Sequence, residues 1–590
     1  MIKDNKSLFK KFNDTFESKT TLEREAILFN YFSDRNDCYQ ETLKSINFPK
    51  DITVLIDYFE SLHDDETSNK MGIIFTPKYI ADFIVEDCIK EFDKTILDPA
   101  CGCGVFLVSA IELLIKHKIS PKDAFNQIYA IDKNEDNVRR CKIVLQIMAY
   151  KYNLGSIEFK NIICTDSLKN SYLDLFNLKD FFYIVGNPPY VNPHDLDPSV
   201  SNFLKEEFIT TKQGTANIFY AFIEHSSKYL NLNGKLSFIV PNNFLTISAG
   251  KSLRQFIYNH NFLEKIIDLG SNMVFAPTRT YNCIITLSPK EKKDFYAGNI
   301  VASTNVEDEL KRATCIKLAQ SKLNNDKWLL KDESVFNNIK KIENQDIKLK
   351  NLIRTGIATL KDEVFIVDYD KISKEFYKVV NNQKFIIENN VVKDLYKIPD
   401  LNKSNDLREV VKHIIFPYSF NEALGKYEII EETKLKNEFP LAYAYLLHCA
   451  NELKKRDKGK TNSVAWYAYG RSQGLNNHSD KILFPTFSNF PKFRVVRDKD
   501  ALFCNGYCII EPNPKVIDLE ILCKIINSEV MRYYISHTSY PIEGGYYCYQ
   551  KKYIEDFSIP KFSENEKKYI STCSAEELNN FLLKRYQLKI

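Results

Sequence analysis

The sequence predicts an α/β chain: a doubly wound, mostly parallel sheet, followed by a second, mixed α+β domain. Three observations predict it. Short apolar runs alternate with helical stretches between Thr95 and Thr286, and polar residues close four of those runs. The periodicity changes after about residue 345, where aromatics mix with Asn, Gly and Pro turns. Finally, 590 residues exceed the ~250–300 at which a single core stops growing.

The first 70 residues are expected to be a helical extension, with Leu22, Ile27, Leu28, Tyr31 and Phe32 at helical spacing. The α/β domain spans 71–300. Its strands are expected at Ile96-Leu97, Ile128–Ile131, Ile162-Ile163, Phe182–Val185, Lys235–Val240, Ile266–Asp268 and Cys283–Thr286. Residues 301–345, rich in Lys, Asn, Asp and Glu, are expected to be a linker or peripheral helices. The mixed domain occupies 346–590. There is no internal repeat.

Composition sets outer limits. With 44% hydrophobic residues and a net charge of +4, the chain is globular rather than disordered. No apolar run reaches the ~18 residues of a membrane span, and no signal-peptide core follows Lys3, Asp4 and Lys6, so the expected location is cytoplasmic and no membrane partner is expected. Fourteen cysteines in so long a chain suit reduced, buried thiols. The charge is uneven: residues 1–70 are net −4, 71–300 net +1 and 301–590 net +7.

Ligands of such sheets bind at the carboxyl ends of the strands, where Asp98, Asp132, Asp166 and Asn187 fall. Asn187-Pro188-Pro189-Tyr190 directly follows an apolar strand and Gly186. Two prolines fix a rigid turn, which would present the Asn187 amide oxygen and the Pro188 carbonyl as acceptors beside the Tyr190 ring. A plain strand-closing turn would use the same prolines. The acceptor arrangement suits an exocyclic amino group on a planar base, whose lone pair is delocalised into the ring. Two acceptors can draw that nitrogen toward a tetrahedral, nucleophilic form while the aromatic ring stacks on the base.

Asp98-Pro99-Ala100-Cys101-Gly102-Cys103-Gly104 lies between a strand and a helix, and its glycines admit close approach of a ligand to the backbone. It lacks both the G-x-G-x-x-G fingerprint and a phosphate-loop Gly-Lys-Ser/Thr. The ligand expected is therefore nucleoside-like without a pyrophosphate. Asp132 is placed to accept ribose hydroxyls and Asp166 to accept from an adenine amino group. Cys101 and Cys103 lack a second Cys or His pair nearby, and no metal is expected.

This constellation resembles the S-adenosylmethionine-dependent methyltransferases, and more narrowly the gamma-class DNA adenine-N6 methyltransferases of restriction–modification systems. The motif order is similar: Gly72–Pro77, then the Asp98–Phe106 loop, then Asn187–Tyr190, then a large extra domain. Gly214–Phe222 looks like the family's helix bordering the cofactor, and Val274-Phe275-Ala276-Pro277 like its hairpin beside the flipped base. The likeness covers about 70–290 by motif. It continues loosely through Gly356–Thr359, Trp466–Arg471 and Gly544–Tyr546, which resemble target-recognition domains.

The resemblance implies a Rossmann-like methyltransferase sheet, S-adenosylmethionine as cofactor and double-stranded DNA as partner. It implies that Thr76, Asp98, Pro99, Ala100, Cys101 and Gly102 border the cofactor's methionine end. Asp132 and Lys133 would lie at its ribose, and Asp166, Ser167 and Phe222 at its adenine. Asn187 and Pro188 would accept from the target amino group within the Asn187–Tyr190 turn that includes Pro189, Tyr190 would stack on the flipped base, and Phe275 would border it. Residues 346–590 would be the target-recognition domain, with Lys454, Lys455, Arg456, Trp466, Tyr467, Arg471 and Arg494 as expected DNA contacts, since basic residues beside aromatics suit DNA.

Enzymes that also cut DNA within one chain carry a nuclease domain ahead of the methyltransferase. About 70 residues precede Gly72, without an Asp…Glu-x-Lys strand pair. The expectation is methylation alone, with a separate restriction endonuclease as a candidate partner. Methylation of RNA or of a protein glutamine is the alternative, and a non-catalytic DNA-binding module is a further one.

Overall fold

The computed structural model describes residues 52–61 and 75–589, except 192–195, 215–216, 276–279, 301–302, 304, 324–326, 405, 472, 512–516, 540 and 543–544. Most of the N-terminal extension, Gly72-Ile73-Ile74, Thr215-Ala216, Ala276-Pro277 and Gly544 therefore lie outside the described residues. The chain divides into two compact units, Met1–Leu330 and Lys331–Ile590.

The first unit is built on one nine-stranded sheet. Its strands are β1 (Ile96–Asp98), β2 (Ile128–Asp132), β3 (Ile162–Cys164), β4 (Phe181–Gly186), β5 (Leu230–Pro241), β6 (Leu263–Asp268), β7 (Asn282–Leu287), β8 (Asp294–Asn299) and β9 (Cys315–Ala319). Their order is β3-β2-β1-β4-β5-β7-β6-β8-β9. β3, β2, β1, β4 and β5 run parallel, and β7 is reversed between β5 and β6. The chain builds outward from β1 to β3, then returns to lay β4 beside β1. That reversal opens a crevice at the carboxyl ends of β1 and β4.

The described helices of this unit are α1 (Ile52–Ser61), α2 (Lys78–Cys88), α3 (Val105–Lys116), α4 (Pro121–Gln127), α5 (Glu135–Lys151), α6 (Tyr172–Phe176), α7 (Pro198–Glu207), α8 (Ile218–Ser227), α9 (Lys251–Asn259) and α10 (Val306–Arg312). Strands covered on both faces read as continuous apolar runs, and β1 is buried at all three positions. α3 is apolar almost all round because it too is enclosed; Leu107, Ile111 and Leu114 are fully buried, each contributing roughly 1.5–3 kcal/mol. α5 is started by Asn134, whose side chain accepts from the Asp136 and Asn137 amides. α1 packs on α5, where the Arg140 guanidinium lies 5.9 Å from the Phe59 ring.

The stretch 301–345, read from sequence as a linker or peripheral helices, holds both helix and strand. α10 and β9 fall in the first unit, and the helix Glu333–Glu343 in the second. β8 and β9 escape a search for apolar runs because they lie at the sheet edge: Phe295 and Ala297 point inward while Tyr296 is exposed.

The second unit is mixed α+β. A six-stranded sheet joins Ile366–Asp370, Glu375–Val380, Gln383–Ile387, Val392–Lys397, Val411–Ile415 and Leu502–Cys504. A four-stranded sheet joins Ile353–Thr355, Lys481–Leu483, Arg494–Val496 and Tyr507–Ile510. Helices follow at Leu519–Ile526, Glu529–Thr538, Lys551–Ile554, Glu564–Thr572 and Ala575–Arg585. Phe365, Tyr445 and Tyr469 sit in the core of the larger sheet.

Candidate active site

Asp98 ends β1 and Gly186 ends β4, so both stand at the crevice. A Cβ at Gly186 would come within 2.8 Å of the Asp98 carboxylate, so only glycine closes β4 on that group. Asp98 is fully buried. Its Oδ1 accepts from the Ala100 amide at 3.0 Å, and its Oδ2 has no hydrogen-bond partner among the described residues. Burial pushes its pKa up to about 8, opposed by the Ala100 N–H and aided by the nearby charge of Asp132.

The glycine loop after β1 is stitched to the next two strands. The Cys101 amide donates to the Ile131 carbonyl at 3.0 Å, and the Gly102 amide to Asp132 Oδ2 at 2.9 Å. Asp132 Oδ1 accepts from the Asn134 amide at 2.8 Å and from Asn137 Nδ2 at 3.3 Å. Ser167 donates to the Pro99 carbonyl, tying the end of β3 to the same loop. Gly102 and Gly104 adopt positive φ, and a Cβ at Gly104 would meet the Cys141 sulfur at 2.8 Å. Cys101 and Cys103 are buried wall residues.

Asp166 Oδ1 caps the 3-10 turn that follows β3, accepting from the Leu168 amide at 3.2 Å. Its Oδ2 meets the Lys133 ammonium at 3.1 Å. Lys133 thus extends from the end of β2 to Asp166, with its side chain 73% exposed. Phe222 is buried on α8.

Asn187–Tyr190 leave β4 as an irregular segment, because neither proline can donate to a ladder. Asn187 Nδ2 donates to the Thr76 hydroxyl at 3.0 Å. Thr76 immediately precedes Pro77 and the start of α2 and is buried. Asn217, the cap of α8, donates from Nδ2 to the Val191 carbonyl at 2.9 Å, which holds the far end of the segment.

The Tyr190 ring is only 9% exposed, and its hydroxyl donates to the Ile239 carbonyl on β5 at 2.7 Å. Phe219 and Phe275 meet it edge to face, with centroids at 6.1 and 6.4 Å. Phe219 continues through Phe244 to Trp328. The resemblance implied that Tyr190 stacks on a flipped base and that Phe275 borders that base from another side; the two rings lie beside each other at this strand end.

The structure therefore brings Thr76, Asp98, Pro99, Ala100, Cys101, Gly102, Asp132, Asp166, Ser167 and Asn187 to one strand-end edge. Sequence reasoning missed Gly186 as a packing requirement, Asn217 as a tether, and Phe219 and Ile239 as anchors of Tyr190. A glycine preceding Asn187 was visible; a backbone carbonyl on the neighbouring strand carries no sequence signal.

In the second unit, several expected DNA contacts have other roles. Arg456 is buried and donates to the backbone carbonyls of Leu453 (2.9 Å), Thr359 (3.3 Å), Ala468 (2.7 Å) and Trp466 (2.8 Å). Tyr467 is buried with its hydroxyl on the Ile430 carbonyl at 2.6 Å. Arg494 is half-buried and donates to the Ser404 carbonyl at 2.6 Å. Arg456 and Tyr467 are thus buried structural residues held by backbone carbonyls, and Arg494 is tied to one. Trp466 is half-buried with its indole N–H on Glu432 at 3.0 Å. Lys454, Lys455 and Arg471 remain exposed; Lys455 pairs with Glu452 and Arg471 with Asp457.

A parallel sheet with this reversal and one antiparallel strand between β5 and β6 defines a Rossmann-like sheet of the methyltransferase type. Residues 126–275 match the family profile described as Eco57I restriction-modification methylase. It is 24% identical over 550 residues to the Type II restriction enzyme and methyltransferase RM.Eco57I of Escherichia coli, covering 79% of this chain but only 54% of that protein. It is 23% identical to the Type II methyltransferase M.BstVI of Geobacillus stearothermophilus, covering 83% of this chain and 90% of that one. The solved structure of the Type IIL restriction-modification enzyme MmeI in complex with DNA is similar in fold, with a TM-score of 0.61 at 15% identity, over 91% of this chain and 74% of that chain.

Proposed function

We propose that the chain is a site-specific DNA methyltransferase of a restriction–modification system, acting on the N6 amino group of adenine in duplex DNA. The observation that carries this reading is the Asn187-Pro188-Pro189-Tyr190 segment at the β1/β4 crevice, with its asparagine held by Thr76. S-adenosylmethionine, when bound, supplies a methyl group already activated by the sulfonium charge.

The residues present fit that group. A buried carboxylate oxygen without a partner, Asp98 Oδ2, suits the ammonium of an amino-acid moiety. Asp132 suits ribose hydroxyls, and Asp166 with Ser167 and Phe222 suits an adenine. Lys133 is then a partner that holds Asp166 rather than a ligand in its own right.

The target base must leave the duplex to enter a closed site, at a cost of a few kcal/mol. Tyr190 and Phe275 offer the aromatic surface that offsets it, at roughly 1–3 kcal/mol per stacked base. With Asn187 Nδ2 engaged by Thr76, the acceptor role falls to Oδ1. That oxygen and the Pro188 carbonyl would accept the two amino hydrogens and localise the lone pair on nitrogen. Positioning then does most of the work. No carboxylate general base is required, because the amine becomes acidic only as the new bond forms.

The neighbouring readings are RNA or a protein glutamine as substrate. Incubation with tritiated S-adenosylmethionine and, separately, unmethylated duplex DNA, total RNA and a protein extract tests all of them. Label in DNA alone is expected. Label in RNA or protein with none in DNA would overturn the reading. A separate restriction endonuclease would be the partner that this modification guards against.

A further inference from the structure

Three segments far apart in the chain converge within the second unit: 356–362, 452–457 and 466–471. Ala358 bridges Arg471, with the Arg471 amide on the Ala358 carbonyl and the Gly470 amide on the Thr359 carbonyl, both at 3.1 Å. Arg456 binds the Thr359 and Ala468 carbonyls from beneath. The buried Thr359 hydroxyl donates to Asp362 at 2.6 Å and accepts from the Lys361 amide at 3.1 Å. Backbone packs on backbone here: a Cβ at Gly356 would lie 2.4 Å from the Phe503 carbonyl, and one at Gly474 would lie 2.5 Å from Gly356. The result is a rigid platform.

Leu360 stands on that platform. Its φ is +58°, a left-handed conformation that costs a residue with a Cβ about 1–2 kcal/mol. Its side chain is apolar yet the residue is 43% exposed. The positive φ does not help folding, and strain retained on an over-determined scaffold points to function. The side chain lies across Gly470, where a Cβ would come within 2.4 Å of it. Cations surround the same patch. Lys361 pairs with Glu363 and with Glu452, Glu452 also holds Lys455, and Arg471 pairs with Asp457. Exposed ion pairs of this kind contribute about 0–1 kcal/mol and exchange readily for phosphates.

We propose that Leu360 is an apolar wedge that inserts between base pairs of bound duplex DNA, with Lys361, Lys455 and Arg471 on the flanking phosphates. This rests on the reading that duplex DNA is the substrate. Wedges of this chemistry unstack a base step and bend the helix, and they must be held rigidly to do so. A glycine at position 360 would adopt this φ without strain, which is why the leucine requires another explanation.

The test uses the full chain with Leu360→Ala, Leu360→Gly, Leu360→Met and Gly470→Ala. Tritiated methyl transfer to unmethylated plasmid DNA gives KM and kcat, anisotropy with a labelled unmethylated duplex gives affinity without requiring transfer, and thermal unfolding gives stability. Leu360→Ala and Leu360→Gly should each raise the KM for DNA about tenfold and weaken duplex binding. Leu360→Met should retain most affinity, and Gly470→Ala, which displaces the leucine without removing it, should mimic its loss. Unchanged KM and affinity in Leu360→Ala and Leu360→Gly would overturn the wedge. Duplex affinity that falls in Leu360→Ala while wild type transfers no methyl group to DNA would overturn the methylation reading and leave the wedge standing.

Discussion

The Asn187 amide nitrogen donates to the Thr76 hydroxyl at 3.0 Å although 111 residues separate them. One group follows β4; the other precedes α2. The contact decides which way the amide faces, since an asparagine can present either its accepting oxygen or its donating nitrogen. Asn187→Ala should nearly abolish methyl transfer while cofactor binding persists. Thr76→Val should lower kcat about tenfold, the kinetic equivalent of one hydrogen bond of about 1.4 kcal/mol. Thr76→Ser should restore most of it. Steady-state kinetics alongside calorimetric cofactor binding separates these outcomes, and a Thr76→Val enzyme with wild-type kcat would remove the orienting role.

Asp98 links cofactor binding to pH. Burial raises its pKa to about 8, so at neutral pH the free protein holds it mostly protonated. A bound ammonium favours the carboxylate and lowers that pKa, so binding releases a proton. Affinity should therefore rise with pH up to about 8 and level off above it. Calorimetry at pH 7 in buffers of different ionisation enthalpy should report proton release, and Asp98→Asn should abolish it. Proton uptake, or release that survives in Asp98→Asn, would assign the proton elsewhere.

Tyr190 combines a stacking ring with an anchored hydroxyl. Tyr190→Phe loses only the 2.7 Å bond to the Ile239 carbonyl and should cost about 1 kcal/mol of stability with turnover largely kept. Tyr190→Ala loses the ring and should impair base capture while sparing cofactor binding. Emission from 2-aminopurine at the target position should rise on binding to wild type and much less with Tyr190→Ala. Equal emission from both would place the stacking surface on another residue.

Arg456 and Lys454 are close in sequence but should behave oppositely. Arg456→Ala strips four backbone carbonyls of a charged donor and should destabilise the second unit by about 3 kcal/mol or more. Lys454→Ala should leave stability unchanged and reduce the slope of log affinity against log salt by up to about one. Paired denaturation and salt-titration curves distinguish the two.

Much of the catalytic unit was legible in sequence, for a physical reason. Strands buried on both faces must be apolar throughout, so Phe181–Gly186 and its neighbours stood out, and the residues that end them had to be the strand-end edge. The edge strands Asp294–Asn299 and Cys315–Ala319 lack that signature and were hidden in a charged stretch. The Thr76–Asn187 contact, the closure of Gly186 on Asp98 and the pairing of Tyr190 with Phe275 depend on which strands become neighbours. In the second unit a basic run next to aromatics suggested a binding face, but helical and loop geometry turned Arg456 and Tyr467 inward. Charge runs record composition; only packing decides which member faces solvent.

The central claim concerns the atom that receives the methyl group. The most direct measurement is nucleoside mass spectrometry of unmethylated duplex DNA after incubation with the protein and S-adenosylmethionine, beside an Asn187→Ala control. The account predicts N6-methyladenine with wild type and none above background with Asn187→Ala. N4-methylcytosine or 5-methylcytosine in place of N6-methyladenine, or equal N6-methyladenine from both proteins, would contradict it.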